Sequence, residues 1–366
     1  MEHFQKRIKR LQQALKKQAV DAMIIDDLTN ILYLTGLDLS LGRIIVTQRA
    51  ARLIVDSRYI EKTQKLSPIA VMLRSEDTLK RLFNEKPFQK VETVAFDRET
   101  TTVDAYRQLQ HAFRQLRKHY SNRNFQLKAL PNLVRQLRSI KDSEEIKALK
   151  EAANLGSEGF DYVLTLLKKG VTEQEIAIEL EIFWKRKGSK ALAFDSIIAF
   201  GPHTSMPHYQ PGAYSLKKGQ AVLIDIGVNY RHYNSDMTRV VFLGKPPKKI
   251  LEIYDIVLEA QEAALALCRP GTAIADLDIV AREFIDSKGY GEQFSHNLGH
   301  GVGLDVHELP NIRRSEKKVL EAGMVLTIEP GIYLADIGGV RLEDTVLITE
   351  KGHENLTKRP KEPLVL

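Results

Sequence analysis

Four carboxylates and one imidazole constrain this chain most: Asp225, Asp236, Glu329, Glu343 and His300 lie in short, Gly-rich, strand-like segments of its C-terminal part. An unpaired charge in an apolar strand is costly to bury. Carboxylates brought close together repel, and one or more stays protonated unless a cation lies between them. Two divalent cations would balance four carboxylates. A pair of metals held in this way activates water and clamps the oxyanion of a tetrahedral intermediate. The five residues therefore read as a candidate two-metal hydrolytic centre, built where several strands converge.

The segment AVLIDIGVNYRHYNSDMTRVVFLG contains two strand-like runs around a polar turn with Asn229, Arg231 and Asn234. Asp225 and Asp236 are eleven positions apart, which suits adjacent strands of a hairpin facing one metal pair. An ion pair between Asp225 and Arg239, or a turn cap, is the plainer reading of that Asp. In HNLGHGVGLDVHE, His296, His300 and His307 would share a helical face, but Gly299, Gly301 and Gly303 favour a tight loop running into a strand. In MVLTIEPGIYL and GGVRLEDTVLIT, Glu329 falls mid-strand and Glu343 in a second strand. Arg341 and Glu343 are two apart and point to one side. Arg341 can hold a ligating carboxylate from behind, or the two form an ordinary surface pair. GPHTSMPHYQPG offers His208, a candidate to bind a substrate carbonyl or shuttle a proton; His203 reads as an ordinary loop histidine.

A chain of 366 residues is too long for one ordinary core, so two domains are expected. The single Cys268 excludes a disulfide framework and a Cys-rich zinc site. MEHFQKRIKRLQQALKKQ is too charged for a signal-peptide core and instead spaces Phe4, Ile8, Leu11 and Leu15 for an amphipathic helix. No run of about 18 apolar residues is present, so no membrane span is expected, and a cytoplasmic protein follows. The net charge of +7 admits nucleic-acid binding, but acidic residues interleave with the basic ones. Solvated helix faces are the reading adopted, with no nucleic-acid partner.

DAMIIDD, GRIIVTQ, ARLIVDS, AVMLRS and TVAFDR read as strands, with helical stretches at Ser75–Asn84 and Val103–Tyr120. This alternation predicts an α/β domain over 1–125. A linker with a short strand follows over 126–133, and a second domain occupies 134–366. In that domain, residues 139–170 read as two helices, and further helices are expected at Thr172–Arg186, Lys249–Cys268 and Ile274–Lys288.

Taken in order and with their flanking residues, these segments resemble the pita-bread metallopeptidases, a family that includes methionine aminopeptidase, aminopeptidase P, prolidase and the metal-free creatinase. The resemblance covers about Val134 to Thr357. It implies an α+β catalytic domain with a curved antiparallel sheet, behind an α/β domain of the creatinase/prolidase N-terminal type. It also implies that Asp225 binds one metal, Asp236 and Glu343 bridge the pair, and His300 and Glu329 complete the second site. His208 and His307 match substrate-contacting imidazoles, His296 a pocket histidine of the proline-specific branch, and Arg341 its buried arginine. Tyr209 stands where that branch commonly has Gly. Hard ligands favour two Mn²⁺, with Co²⁺, Zn²⁺ or Fe²⁺ as alternatives.

The implied reaction is hydrolysis of an N-terminal Xaa–Pro bond by metal-activated water, with His208, His307 and Glu329 as the catalytic side chains and Glu329 receiving the proton. His208, His296, His307 and Arg341 would face the peptide substrate, which carries proline at its second position. Aminopeptidase P, acting on longer peptides, is the first reading, and prolidase, restricted to dipeptides, is the alternative. Loops around Thr35–Gly42 are candidates to close the pocket. A homodimer is the family expectation. A non-catalytic binding protein on the same fold is the distant alternative, disfavoured by the complete ligand set.

Overall fold

The periodic apolar positions of the first segment form the helix Glu2–Lys17, with Ile8, Leu11 and Leu15 buried and the basic face outward. The computed structural model describes residues 1–366 and divides into two units, Met1–Arg138 and Ser139–Leu366. The first unit is a six-stranded mixed sheet. Its strands are β1 (Ala22–Ile25), β2 (Arg43–Thr47), β3 (Ala51–Val55), β4 (Ala70–Leu73), β5 (Thr93–Asp97) and β6 (Gln126–Leu130), in the order β4-β3-β2-β1-β5-β6. The pairs β1–β2 and β2–β3 are antiparallel and the others parallel. The five strand-like runs of the sequence are all present. The sixth strand is the short one expected in the linker, and it joins the first unit's sheet beyond the boundary expected at residue 125. QLKAL shows no continuous apolar run, and its place in the sheet comes from parallel pairing with β5. The helix Val103–His119 covers this end of the sheet through Leu109, Phe113 and Leu116. Asp56 and Arg58 pair with each other at 2.7 Å.

The second unit opens with a 24-residue helix, Ser143–Leu166, started by a capping box in which Asp142 accepts from Glu145 N and the Glu145 side chain accepts from Asp142 N. This is one helix where the sequence suggested two. Gly156 and Gly159 do not break it, because they let it approach its neighbours closely. A Cβ on Gly156 would lie 2.7 Å from Ser235 Oγ, and one on Gly159 would lie 2.5 Å from Trp184 Nε1. The indole belongs to the next helix, Glu173–Arg186, and donates to Leu155 O at 2.9 Å. Two further helices, Lys248–Ala266 and Ile274–Ser287, pack together on the main core.

The strands of this unit pair almost entirely antiparallel. Gln220–Ile226 lies between Ile197–Phe200 and Met237–Leu243, with Asp225 opposite Thr238. Gly299–Gly301 pairs with Glu308–Ile312 and Val325–Ile328, and the latter pairs with Asp344–Ile348. A hairpin, Gly331–Leu334 with Gly338–Arg341, sets Gly331 opposite Arg341. Apolar side chains from these strands and the two late helices form one continuous core. No helix is long and apolar enough to cross a membrane.

Candidate metal centre

Strand ends, not strand middles, carry the charged groups. Asp225 is the penultimate residue of Gln220–Ile226, and Asp236 immediately precedes Met237–Leu243. Glu329 follows Val325–Ile328 directly, and Glu343 occupies the break between Gly338–Arg341 and Asp344–Ile348. Glu329, expected mid-strand, lies one residue past its strand, and Glu343, expected within a strand, lies one residue before it. His300 lies on Gly299–Gly301, and the flanking glycines are required by packing, since a Cβ on Gly299 would meet Thr327 O at 2.1 Å and one on Gly301 would meet Leu309 O at 2.3 Å.

One cavity of about 530 Å³ is lined by all nine residues singled out in the sequence: His208, Asp225, Asp236, His296, His300, His307, Glu329, Arg341 and Glu343. Asp236, His300 and Glu343 each bring a potential ligand atom within 4.8 Å of the others. His300 Nε2 lies 3.3 Å from Glu329 Oε1 and 3.7 Å from Asp236 Oδ2. His300 Nδ1 contacts Gly301 O at 3.1 Å, and since a carbonyl only accepts, the proton resides there. Nε2 is left with its lone pair facing the carboxylates, the tautomer a metal ligand needs. Asp225 Oδ1 is buried with no hydrogen-bond partner. A buried carboxylate oxygen without a donor is costly, and a cation in the cavity would satisfy it. Carboxylate and imidazole donors suit Mn²⁺ and related divalent ions.

Burial and mutual repulsion show in the titration of the cluster. Burial, then Asp225 and Glu329, hold the Asp236 carboxyl well above the usual range. Burial, then Asp236, does the same to Glu343. Burial raises Glu329 to about 8, against the opposing pull of Arg341. Burial lowers His300 to about 4, with His307 adding to it, so that its imidazole is neutral at neutral pH. Without a cation the cluster therefore keeps protons it would otherwise lose.

Of the two arginine contacts the sequence suggested, Arg341 on a ligating carboxylate forms and Arg239 on Asp225 does not. Arg239 does not pair with Asp225. Its guanidinium binds Asp344 at 2.6 Å and the carbonyls of Thr357, Arg359 and Pro360. Arg341 takes Asp225 Oδ2 instead, and also donates to Tyr333 Oη at 2.7 Å. Tyr333 Oη is 3.0 Å from His296 Nε2, while His296 Nδ1 donates to Asn297 O at 2.8 Å. The Tyr333 hydroxyl therefore accepts from Arg341 and donates to His296, so that one buried chain runs from Asp225 to His296. Thr238 Oγ1 donates to Glu343 Oε2 at 2.7 Å, and Thr327 Oγ1 to Glu329 Oε1 at 3.1 Å. Tyr333, Thr238 and Thr327 escaped the sequence reading. A strand Thr next to an acidic strand end is the only signal that could have found the last two.

His208 and His307 occupy exposed positions in the cavity wall. The His307 ring stands 4.2 Å from that of His300, tilted by 62°. His203 points elsewhere, to Glu173 Oε1 at 2.9 Å.

Comparison with known proteins adds an independent line. Residues 147–350 match the pattern of Metallopeptidase family M24, and residues 7–140 match the Creatinase/Prolidase N-terminal domain. The chain is 36% identical over 364 residues to a Xaa-Pro dipeptidase of Pyrococcus horikoshii, covering 99% of each. Among solved structures, a Xaa-Pro dipeptidase from Bacillus anthracis superposes with a TM-score of 0.91 at 33% identity, covering 99% of this chain and 100% of that one. An X-Pro aminopeptidase from Thermotoga maritima superposes with a TM-score of 0.85 at 34% identity, covering 95% and 98%.

Proposed function

The chain belongs to metallopeptidase family M24, with a creatinase/prolidase N-terminal domain ahead of a pita-bread catalytic domain, and we propose that it is an Xaa–Pro dipeptidase holding two divalent metal ions. The observation that carries this reading is the full-length likeness to dipeptidases that act on Xaa–Pro. It reverses the preference for aminopeptidase P drawn from sequence.

Asp225, Asp236, His300, Glu329 and Glu343 would hold the metals, Mn²⁺ first among them. Bound there, divalent cations supply Lewis acidity that makes water nucleophilic near neutral pH and polarises the scissile carbonyl. Glu329 is the group to accept a proton, at a carboxylate oxygen steadied by Thr327. His307, in the cavity wall beside His300, would donate to the carbonyl oxygen as charge develops. His208, in the lining of the same cavity, would hold the proline side of the peptide. Arg341 fixes one oxygen of Asp225 and leaves the other free for a cation.

A specific observation keeps the aminopeptidase reading as second, namely the likeness to the Thermotoga maritima enzyme. Incubating Mn²⁺-loaded protein with Ala–Pro and with Ala–Pro–Ala separates the two. Proline release from the dipeptide, abolished by EDTA, with the tripeptide left intact is expected. Tripeptide cleavage moves the assignment to aminopeptidase P, and inactivity on both rejects the Xaa–Pro reading.

A further inference from the structure

Glu173 is the first residue of the helix Glu173–Arg186 and is fully buried. It takes no part in the cavity lining. Four donors converge on its carboxylate, all from residues 200–212. Phe200 N and His203 Nδ1 reach Oε1 at 2.8 and 2.9 Å, while Tyr209 Oη and Gly212 N reach Oε2 at 2.7 and 3.2 Å. The backbone of the same helix start is stitched to the far end of that segment, with Glu173 N donating to Tyr214 O and Gln174 N to Gly212 O. The His203 ring packs 4.6 Å from Tyr209 and 4.5 Å from Tyr214, closing the bundle of contacts.

Four residues of this loop, Pro207, His208, Tyr209 and Gln210, line the catalytic cavity. His208 itself is exposed, so its position depends on what holds the loop beneath it. We propose that Glu173 is a positioning residue for the substrate. By gathering the two ends and the Tyr209 hydroxyl of the 200–212 loop onto one buried carboxylate, it fixes where His208 and the Tyr209 ring stand in the cavity wall. Burial, and then Glu173 itself, push the Tyr209 hydroxyl above its usual range, which keeps it a donor. A carboxylate is suited to this role because it offers only acceptors. A glutamine would turn an N–H₂ toward donors on one side and break at least one of the four bonds.

The inference rests on the Xaa–Pro reading for its substrate but not for its structural readout. The experiment compares wild type, Glu173→Gln, His208→Ala and the double variant on Ala–Pro, with metal content measured throughout. Glu173→Gln is expected to raise KM about tenfold with kcat and metal content nearly unchanged. The double variant is expected to lose less than the product of the two single losses, because both changes act through one loop. Additive losses, or an unchanged KM, overturn the proposal. Should Glu173→Gln fail to fold, Tyr209→Phe removes one of the four bonds and is expected to raise KM two- to threefold; no change overturns the proposal equally. Should wild type not cleave Ala–Pro, the Xaa–Pro reading fails on its own, and hydrogen exchange decides the loop. Glu173→Gln is expected to speed exchange at Phe200 and Gly212 at least tenfold, and unchanged exchange there refutes the bracing role.

Discussion

At Asp236, burial, two neighbouring carboxylates and an imidazole 3.7 Å from its Oδ2 meet on one side chain. Changes to groups that only orient metal ligands cost about 10–100-fold in affinity or activity. Arg341 is such a group, since it touches Asp225, and Arg341→Lys loses the fork that also reaches Tyr333. Arg341→Lys is expected to fall within that 10–100-fold range. Asp236→Ala removes a ligand outright and is expected to exceed about 100-fold in turnover, with bound metal reduced. Turnover rates with metal analysis of both proteins check this; a fully active Asp236→Ala removes the residue from the site. The ligand candidates were legible because a charge within an apolar strand needs a reason. Their helpers were not, because Tyr333, Thr238 and Thr327 are ordinary strand residues until the fold brings a partner opposite them.

Among the elements, the helix Ser143–Leu166 shows how local propensity and packing can disagree. Gly costs about 1 kcal/mol relative to Ala within a helix, so Gly159→Ala should stabilise it on propensity alone. The added methyl would fall 2.5–2.6 Å from three atoms of the buried Trp184 ring. Overpacking of this kind costs about 1–3 kcal/mol, so the net effect is expected to be destabilising. Urea unfolding gives the sign, and a midpoint above that of wild type would mean that the ring yields freely. The capping boxes at Asp142 and Thr172 involve only neighbouring residues, so the helix start expected at Thr172 was local information. The continuity of the first helix was not, since it depends on Trp184 in another element. For β6 the short strand itself was legible, but its place in the six-stranded sheet was not, since that comes from pairing with β5.

For the whole molecule, the central question is what the concentrated negative charge does to stability when no cation is bound. The unfolded Glu and Asp titrate near 4.3 and 3.9, whereas in the fold Glu329 is raised to about 8 and Asp236 and Glu343 are also raised. Between these limits the folded state holds more protons than the unfolded one, so stability falls as pH rises. His296 and His300, lowered to about 4 by burial, work the other way. Below an unfolded histidine value of about 6.5 the folded state holds fewer protons there, so stability rises with pH. The two effects oppose each other between about pH 4 and 6.5, and above that only the carboxylates remain. The clean window is therefore about pH 6.5–8, where metal-free protein should lose stability with rising pH. Mn²⁺ should restore that stability, and bind more tightly as pH rises, because its binding displaces the retained protons. Trp184, the single tryptophan of the chain and fully buried in the second unit, reports on that unit alone. Melting followed by its fluorescence at pH 6.5, 7.25 and 8, in EDTA and in Mn²⁺, is expected to give a falling Tm in EDTA and a flatter, higher one in Mn²⁺. A Tm in EDTA that stays level or climbs across this window would mean that the carboxylates are not held together as the geometry requires.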